Sequence, residues 1–264
     1  MEKSIVIILI ECYIARIMNV QGAQKPRVEI PELREEGAPK EGNPQTLDRR
    51  LFMQFLCFTD CREVNTLVEP LRASGLEGVL YLDVNDPQGV GLLVLSEDPD
   101  VFTKKMRPLL LLNPFVQLSP RPELTMLGRT YSSGHEQNLE DWLLAKPRRN
   151  LSNPALSWAV WYPLKRKPEF ELLSKEEQRG ILMEHAKLGM SYGAADLAHD
   201  VRLACHGLDQ NNNEFVIGII SSKLHSISRL VQDMRKTQQT AKYIESMGPF
   251  FVGQVLFSSV RLEV

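Results

Sequence analysis

Four cysteines in 264 residues (Cys12, Cys57, Cys61 and Cys205) are too few and too scattered for a disulfide framework. Cys57 and Cys61 stand C-x3-C across the end of an expected strand, which is not the spacing of a zinc knuckle. Cys57 and Cys205 lie in apolar strand patterns and read as small reduced core residues, so a cytoplasmic location fits. An excess of one charge is lacking too: 31 Lys and Arg against 33 Asp and Glu leave a formal net charge of -2. Basic residues gather only in "PLKRKPEF" (163–170), so nucleic acid is not an expected partner. No apolar run approaches the roughly 20 residues of a spanning helix, and no membrane insertion is expected. "SIVIILIECYIARIM" (4–18) is interrupted by Glu11 and Arg16, and "LLLLN" (109–113) reads as a buried helix end. Met18 is expected as the natural start, with residues 1–17 an upstream extension. "DQNNN" (209–213) lacks the carboxylate spacing of a calcium loop and reads as a turn.

What is present is an ordinary globular composition, 43% hydrophobic and 24% charged. Residues 1–48 include a Pro-, Gly- and charge-rich stretch that predicts an extended or mobile arm, with the folded part starting near Arg50. From Leu51 the pattern predicts strand 51–59, helix 65–75, strands 76–84 and 89–97, helix 98–112 and strand 123–133. After a connecting helix at 138–147 the order repeats: strand 156–164, a helix over 172–192, strands 200–208 and 214–222, helix 224–246 and strand 249–257. "VLYLDVNDPQGVGLLVLSEDPDVFTKKMRPL" and "RLACHGLDQNNNEFVIGIISSKLHSISRLVQDM" run in step, each a strand, an Asp/Asn-rich turn, a strand and an amphipathic helix. The reading is an α+β fold of two tandem ferredoxin-like βαββαβ halves, residues 49–150 and 151–264. Helices cover one sheet face of each half and the other faces bury against each other, as in a dimeric α+β barrel.

Within "LMEHAKLGMSYG" (182–193) stands a histidine on an apolar helical face. Ser174 and Glu177 have capping-box spacing and Gly193 supplies a stop. On a 3.6-residue period Ile181, His185, Leu188 and Tyr192 share one face, so His185 points inward. Two readings stay open from the helix alone. One is a core histidine satisfied by neighbouring carbonyls; the other is an axial ligand to iron in a flat cofactor. Gly189, one turn along, would allow close approach.

The runs "WAVWYPLKRK…EFELLSKEEQRGILMEHAKLGMSYG", "ACHGLD…NEFVIGII" and "LVQDMRKTQQTAKYIESMGPFFVG" resemble the haem-binding half of the chlorite dismutase superfamily, which includes the coproheme decarboxylases. The resemblance spans about 50–257 and implies the doubled ferredoxin-like fold. It implies His185 as the axial iron ligand, with a partner for its other ring nitrogen for which Gln238 is a candidate. Tyr162 matches the tyrosine that decarboxylases oxidise beside a propionate, and Arg166, four residues on, the propionate anchor. Arg235 and Thr240 match further porphyrin contacts, Arg129 is a candidate at the junction of the halves, and His135 one for a distal base. Without the resemblance, Tyr162 reads as a sheet aromatic, and Arg166, Arg235 and Thr240 as solvated surface residues. Where chlorite dismutases carry a distal arginine, alignment back from "HGLD" places Asp200, with Arg202 two residues along the same face.

The resemblance implies a haem-dependent oxidoreductase binding haem b or coproheme, with peroxide-dependent coproheme decarboxylation as its activity and hydrogen peroxide as co-substrate. A haem b peroxidase or chlorite dismutase is the alternative, and a non-catalytic haem carrier or sensor a third. A homopentamer is the assembly the family implies.

Overall fold

The computed structural model describes residues 30–262, so the expectations for residues 1–17 and for Cys12 lie outside them. The chain divides after Leu33; residues 30–33 of the N-terminal unit have no regular structure, and the architecture that follows belongs to the unit from Arg34 onward.

That unit opens with a hairpin, β1 (Glu35–Lys40) and β2 (Asn43–Leu47), paired from Glu35 opposite Leu47 to Lys40 opposite Asn43. Residues 35–47 come from the stretch expected as an extended arm. Their turn is made by Glu41 and Gly42, at φ 52° and 81°, the positive-φ pair that matches the twist of a tight hairpin.

The first βαββαβ half runs β3 (Phe52–Thr59), α1 (Val68–Ala73), β4 (Glu77–Asp83), β5 (Val90–Ser96), a wide helical turn (Phe102–Met106) into α2 (Arg107–Leu110), β6 (Ser119–Pro120) and β7 (Met126–Thr130). A second wide turn (Asp141–Ala145) leads into the connecting helix α3 (Lys146–Ser152). The second half runs β8 (Trp158–Arg166), α4 (Lys175–Ala194), β9 (His199–Ala204), β10 (Phe215–Ser221), α5 (Leu224–Met234), α6 (Gln238–Tyr243), β11 (Ile244–Met247) and β12 (Phe251–Ser258).

In space the strands run β7-β3-β5-β4 in one half and β9-β10-β8-β12 in the other. The halves join where β4 pairs β12 (Asp83 opposite Gly253) and β7 pairs β9 (Arg129 opposite Ala204). All these pairs are antiparallel, and the circuit closes into one eight-stranded barrel that leaves none of these strands unpaired on either side.

Strand alternation decides what fills the barrel. Met53, Phe55 and Cys57 point inward from β3, Val79 and Tyr81 from β4, Ala159 and Trp161 from β8, and Phe251 from β12. The aromatic rings meet there, Phe55 lying 5.6 Å from Trp161 and 4.9 Å from Phe251 between centroids. Gly218 opposite them is a packing requirement: a Cβ would stand 2.5 Å from the Trp161 ring, and at Gly91, its counterpart in the first half, 2.6 Å from Phe251. Leu143, Leu144 and Leu151 of the connecting segment join this same core.

Outside the barrel, the first half buries Leu67, Leu71, Met106 and Leu109 against Leu80, Leu92 and Val94. The second half is packed more lightly: Ile227 and Leu230 of α5 cover Val160 and Ile219, while Leu188, Tyr192, Ile217 and Phe250 around them are only partly buried.

The helix expected over 224–246 is broken. Thr237 takes an extended conformation (φ −70°, ψ 152°) between α5 and α6, its hydroxyl donating to the Met234 carbonyl, and Ile244–Met247 then pair with β8 as β11. The strand expected to 208 stops at Ala204, because Cys205–Asp209 turn back on themselves with Gly207 at φ 71°.

Candidate functional site

α4 starts as its sequence dictates. The Ser174 hydroxyl accepts from the Glu177 N–H at 3.3 Å and the Glu177 carboxylate accepts from the Ser174 N–H at 3.0 Å. The expected stop at Gly193 is displaced: the helix runs through it to Ala194, and the left-handed residue is Asp196, at φ 53°. Of twenty helical residues only Ile181 is fully buried; His185, Leu188 and Tyr192 on the same face are half-buried. The helix is tied to α5 and the segment after it. Tyr192 donates to Asp233 at 2.9 Å, and the Gln238 N–H donates to Glu184 at 3.2 Å. The neighbour of Gly189 is likewise α5, with Met234 Cε 3.4 Å from where a Cβ would stand.

His185 Nδ1 lies 3.1 Å from Thr237 Oγ1. The single Thr237 hydroxyl proton is directed to the Met234 carbonyl at 2.8 Å, so towards His185 this oxygen acts as acceptor. Nδ1 therefore carries the ring proton and Nε2 keeps a free lone pair. Burial pushes the His185 pKa down to about 4, with the Arg202 cation adding to the effect, and the imidazole is neutral at physiological pH. Thr237, not the expected Gln238, is the partner of the second ring nitrogen; Gln238 offers its backbone to Glu184 instead. Thr240 stands behind, 3.4 Å from the Thr237 hydroxyl.

The outer sheet face of the second half carries the remaining groups. Cross-strand register puts Tyr162, Ile217 and Arg202 in one row and Val160, Ile219 and Asp200 in the next. Tyr162 is buried and stacks on Phe250 at 4.6 Å; burial holds its hydroxyl well above the usual phenol range, against the opposing field of Arg235. Arg235 itself is exposed at the end of α5. Arg166 closes the end of β8, its guanidinium 4.5 Å from the Phe170 ring and 4.7 Å from the Phe215 ring, with Nη1 3.4 Å from Glu171. Its Nε is buried without a partner.

Asp200 and Arg202 form a cluster. Lys146 Nζ donates to Asp200 at 3.0 Å, and Arg202 Nε lies 3.0 Å from the other carboxylate oxygen without the alignment of a hydrogen bond. Both cations flank the Trp142 ring, Lys146 at 4.0 Å and Arg202 at 4.6 Å. Desolvation opposes the charge on Asp200, but Arg202 and Lys146 outweigh it and hold the carboxyl below its ordinary range. Through these cross-strand rows Asp200 and Arg202 share the outer sheet face with Tyr162 and Val160.

Two expected residues are elsewhere. Arg129, on β7, is paired to Glu35 of the hairpin, and His135 is exposed in a loop. Arg129 does sit near the join of the halves, but a carboxylate of the hairpin has taken it. Conversely, Lys146, Trp142, Thr237 and Phe250 belong to the site without being expected from the sequence. Trp142 and Lys146 are spaced i, i+4 on a helical segment, a signal that could have found them. A separate groove of about 540 Å3 on the first half, lined by Gln54, Leu56, Phe102, Met106 and Leu127 among others, holds none of these residues.

Fold and site together define a tandem ferredoxin-like α+β barrel with a neutral imidazole on α4 and a charged cluster on the outer sheet face of the same half. The chlorite dismutase family profile matches residues 130–256, the part that holds this site. This part of the chain is similar to the chlorite dismutase family. No curated protein sequence matches it. Among solved structures it is similar to a haem-binding protein from Thermus thermophilus, at 18% identity and TM-score 0.62, covering 88% of this chain and 97% of that one. It is also similar to chlorite dismutase from Candidatus Nitrospira defluvii in complex with imidazole, at 14% identity and TM-score 0.60, covering 79% and 92%. At these identities the likeness is one of fold.

The residues fit the haem that the family implies. Among the described residues no three or more His, Cys, Asp or Glu converge on a point, and His185 is a lone imidazole donor, which is what a porphyrin-held iron takes from a protein. The half-buried apolar face of α4 and the unpartnered Arg166 Nε suit a flat apolar ring bearing carboxylates.

Proposed function

We propose that the chain is an iron-porphyrin oxidoreductase that uses hydrogen peroxide to decarboxylate coproheme to haem b. The observation that carries the reading is a neutral His185 with Nδ1 3.1 Å from the Thr237 hydroxyl, on the element the resemblance names. The bound iron porphyrin supplies the oxidising chemistry when peroxide reaches it. His185 Nε2 would hold the iron, with Thr237 as the partner of Nδ1 that keeps the Nε2 lone pair available. Arg166, at the end of β8, and Arg235, at the end of α5, would hold propionate carboxylates, with Thr240 as a further hydroxyl contact. Tyr162, a buried phenol kept neutral on this face, is the residue we assign to oxidation next to a propionate. Adding peroxide to the coproheme complex and following porphyrin mass tests this: loss of carbon dioxide is expected, and unchanged coproheme under conditions that bleach the iron defeats it.

A second reading, chlorite dismutase-type or haem b peroxidase chemistry, draws support from Arg202, which shares its cross-strand row with Tyr162 and perturbs His185 more than Asp200 does. Oxygen release on adding chlorite to the haem-loaded protein would favour it. The assembly proposed is the homopentamer, tested by sedimentation, and the location proposed is cytoplasmic. Among the described residues no helix is long and apolar enough to cross a membrane.

A further inference from the structure

We propose that Asp200 is a built-in counter-anion that occupies the slot between Lys146 and Arg202, so that the site accepts neutral oxidants and discriminates against small anions. The inference rests on the porphyrin reading above and deepens it, by naming the class of co-substrate the site prefers.

Two cations converge on one side of the site. Lys146 reaches Asp200 from the connecting helix and Arg202 from the same strand, two residues away, each at 3.0 Å from a different carboxylate oxygen. Both cations are also fixed from the other side by the Trp142 ring. The indole is itself anchored, its N–H donating to the Tyr131 carbonyl at 3.0 Å, and Asn150 donates to the Asp200 carbonyl at 3.2 Å. This is a held arrangement and not a loose surface pair.

The ligand preference follows from what surrounds it. Arg202 feels the charges of Asp200 and Glu136 and the Tyr131 phenol, and Asp200 feels Arg202 and Lys146 and acts in turn on Tyr131, Tyr162 and His185. Tyr131 is neutral, its phenol pushed up by burial, and His185 is neutral. Two cations therefore face two carboxylates. An incoming anion must displace the Asp200 carboxylate from Arg202 or share the guanidinium with it, whereas a neutral peroxide meets no such competitor. With Asp200 absent, Lys146 and Arg202 would form a partly exposed anion site.

The test is azide binding to the haem-loaded protein at constant ionic strength, read by absorption, beside imidazole as a neutral ligand. Asp200→Asn is expected to bind azide on the order of tenfold tighter than the parent, since one like charge is removed at close range. Lys146→Met is expected to bind it more weakly than the parent, Asp200→Glu to restore the parental affinity, and imidazole affinity to stay level throughout. A general loosening of the fold would move both variants, and both ligands, in the same direction. Equal azide affinity in all proteins, or parallel shifts for azide and imidazole, would overturn the proposal. If the parent binds no haem, the functional reading fails while this inference keeps its own readout. The apo-protein Asp200→Asn should then gain melting temperature with rising azide where the parent does not, and an equal response of the two overturns it.

Discussion

Replacing Thr237 by Val removes one oxygen while keeping the shape of the side chain, and two losses follow. The hydroxyl no longer donates to the Met234 carbonyl, and the Nδ1–H of His185 loses its acceptor at 3.1 Å. A buried or half-buried donor left unpaired costs about 1–3 kcal/mol, so the apo-protein should lose stability in that range, measured by urea denaturation. The second effect is on the ring: without an acceptor at Nδ1, the proton redistributes between the two nitrogens and Nε2 is no longer a lone pair at all times. Partners of this kind change affinity for a bound metal centre by roughly 10–100-fold, so porphyrin binding should weaken by about that factor. Imidazole nitrogen chemical shifts in the apo-protein give the tautomer directly, and Thr237→Ser should restore both stability and affinity. A Thr237→Val protein with parental stability, one dominant Nδ1–H tautomer and undiminished porphyrin affinity would refute the tautomer argument.

Further expectations concern other parts of the molecule. Because the folded-state pKa of His185 is lowered from 6.5 to about 4, the unfolded chain binds the proton first as pH falls. Its contribution is complete above about pH 6.5 and lost by pH 4, on the order of 3 kcal/mol, and His185→Gln should flatten the stability profile over that interval. Tyr162→Phe should keep coproheme binding, since the stacking on Phe250 survives, and abolish loss of carbon dioxide by mass spectrometry. Gly218→Ala places a methyl 2.5 Å from the Trp161 ring and should cost about 1–3 kcal/mol by thermal unfolding. Ser174→Ala removes the α4 cap and should cost about 1 kcal/mol, with a larger proportional loss in porphyrin affinity because α4 has little burial to hold it otherwise.

Local chemistry makes much of the fold legible. The doubled βαββαβ order shows in strand alternation and in turn residues, and the capping box at Ser174 and Glu177 forms as its spacing requires. Closure of the barrel is less visible, because the β4–β12 and β7–β9 pairs join distant segments whose sequence pattern is the same whether an edge is paired or free. The break at Thr237 is hidden because no proline or glycine marks it anywhere in 224–246. That break also explains why Gln238 stands out in the sequence as the partner of His185: an unbroken helix puts the wrong residue forward. Arg129 misleads for a related reason, since its partner Glu35 comes from a hairpin in a stretch without periodic apolar signal. The role of Lys146 and Trp142 exists only once α3 packs against β9.

The most direct test is titration of the apo-protein with coproheme and with haem b, followed by absorption, beside His185→Ala. Tight coproheme binding with the spectrum of an axial histidine is predicted, and loss of that spectrum in the variant. Binding of neither porphyrin, or an identical spectrum in parent and variant, would contradict the assignment and leave His185 a core histidine satisfied by Thr237.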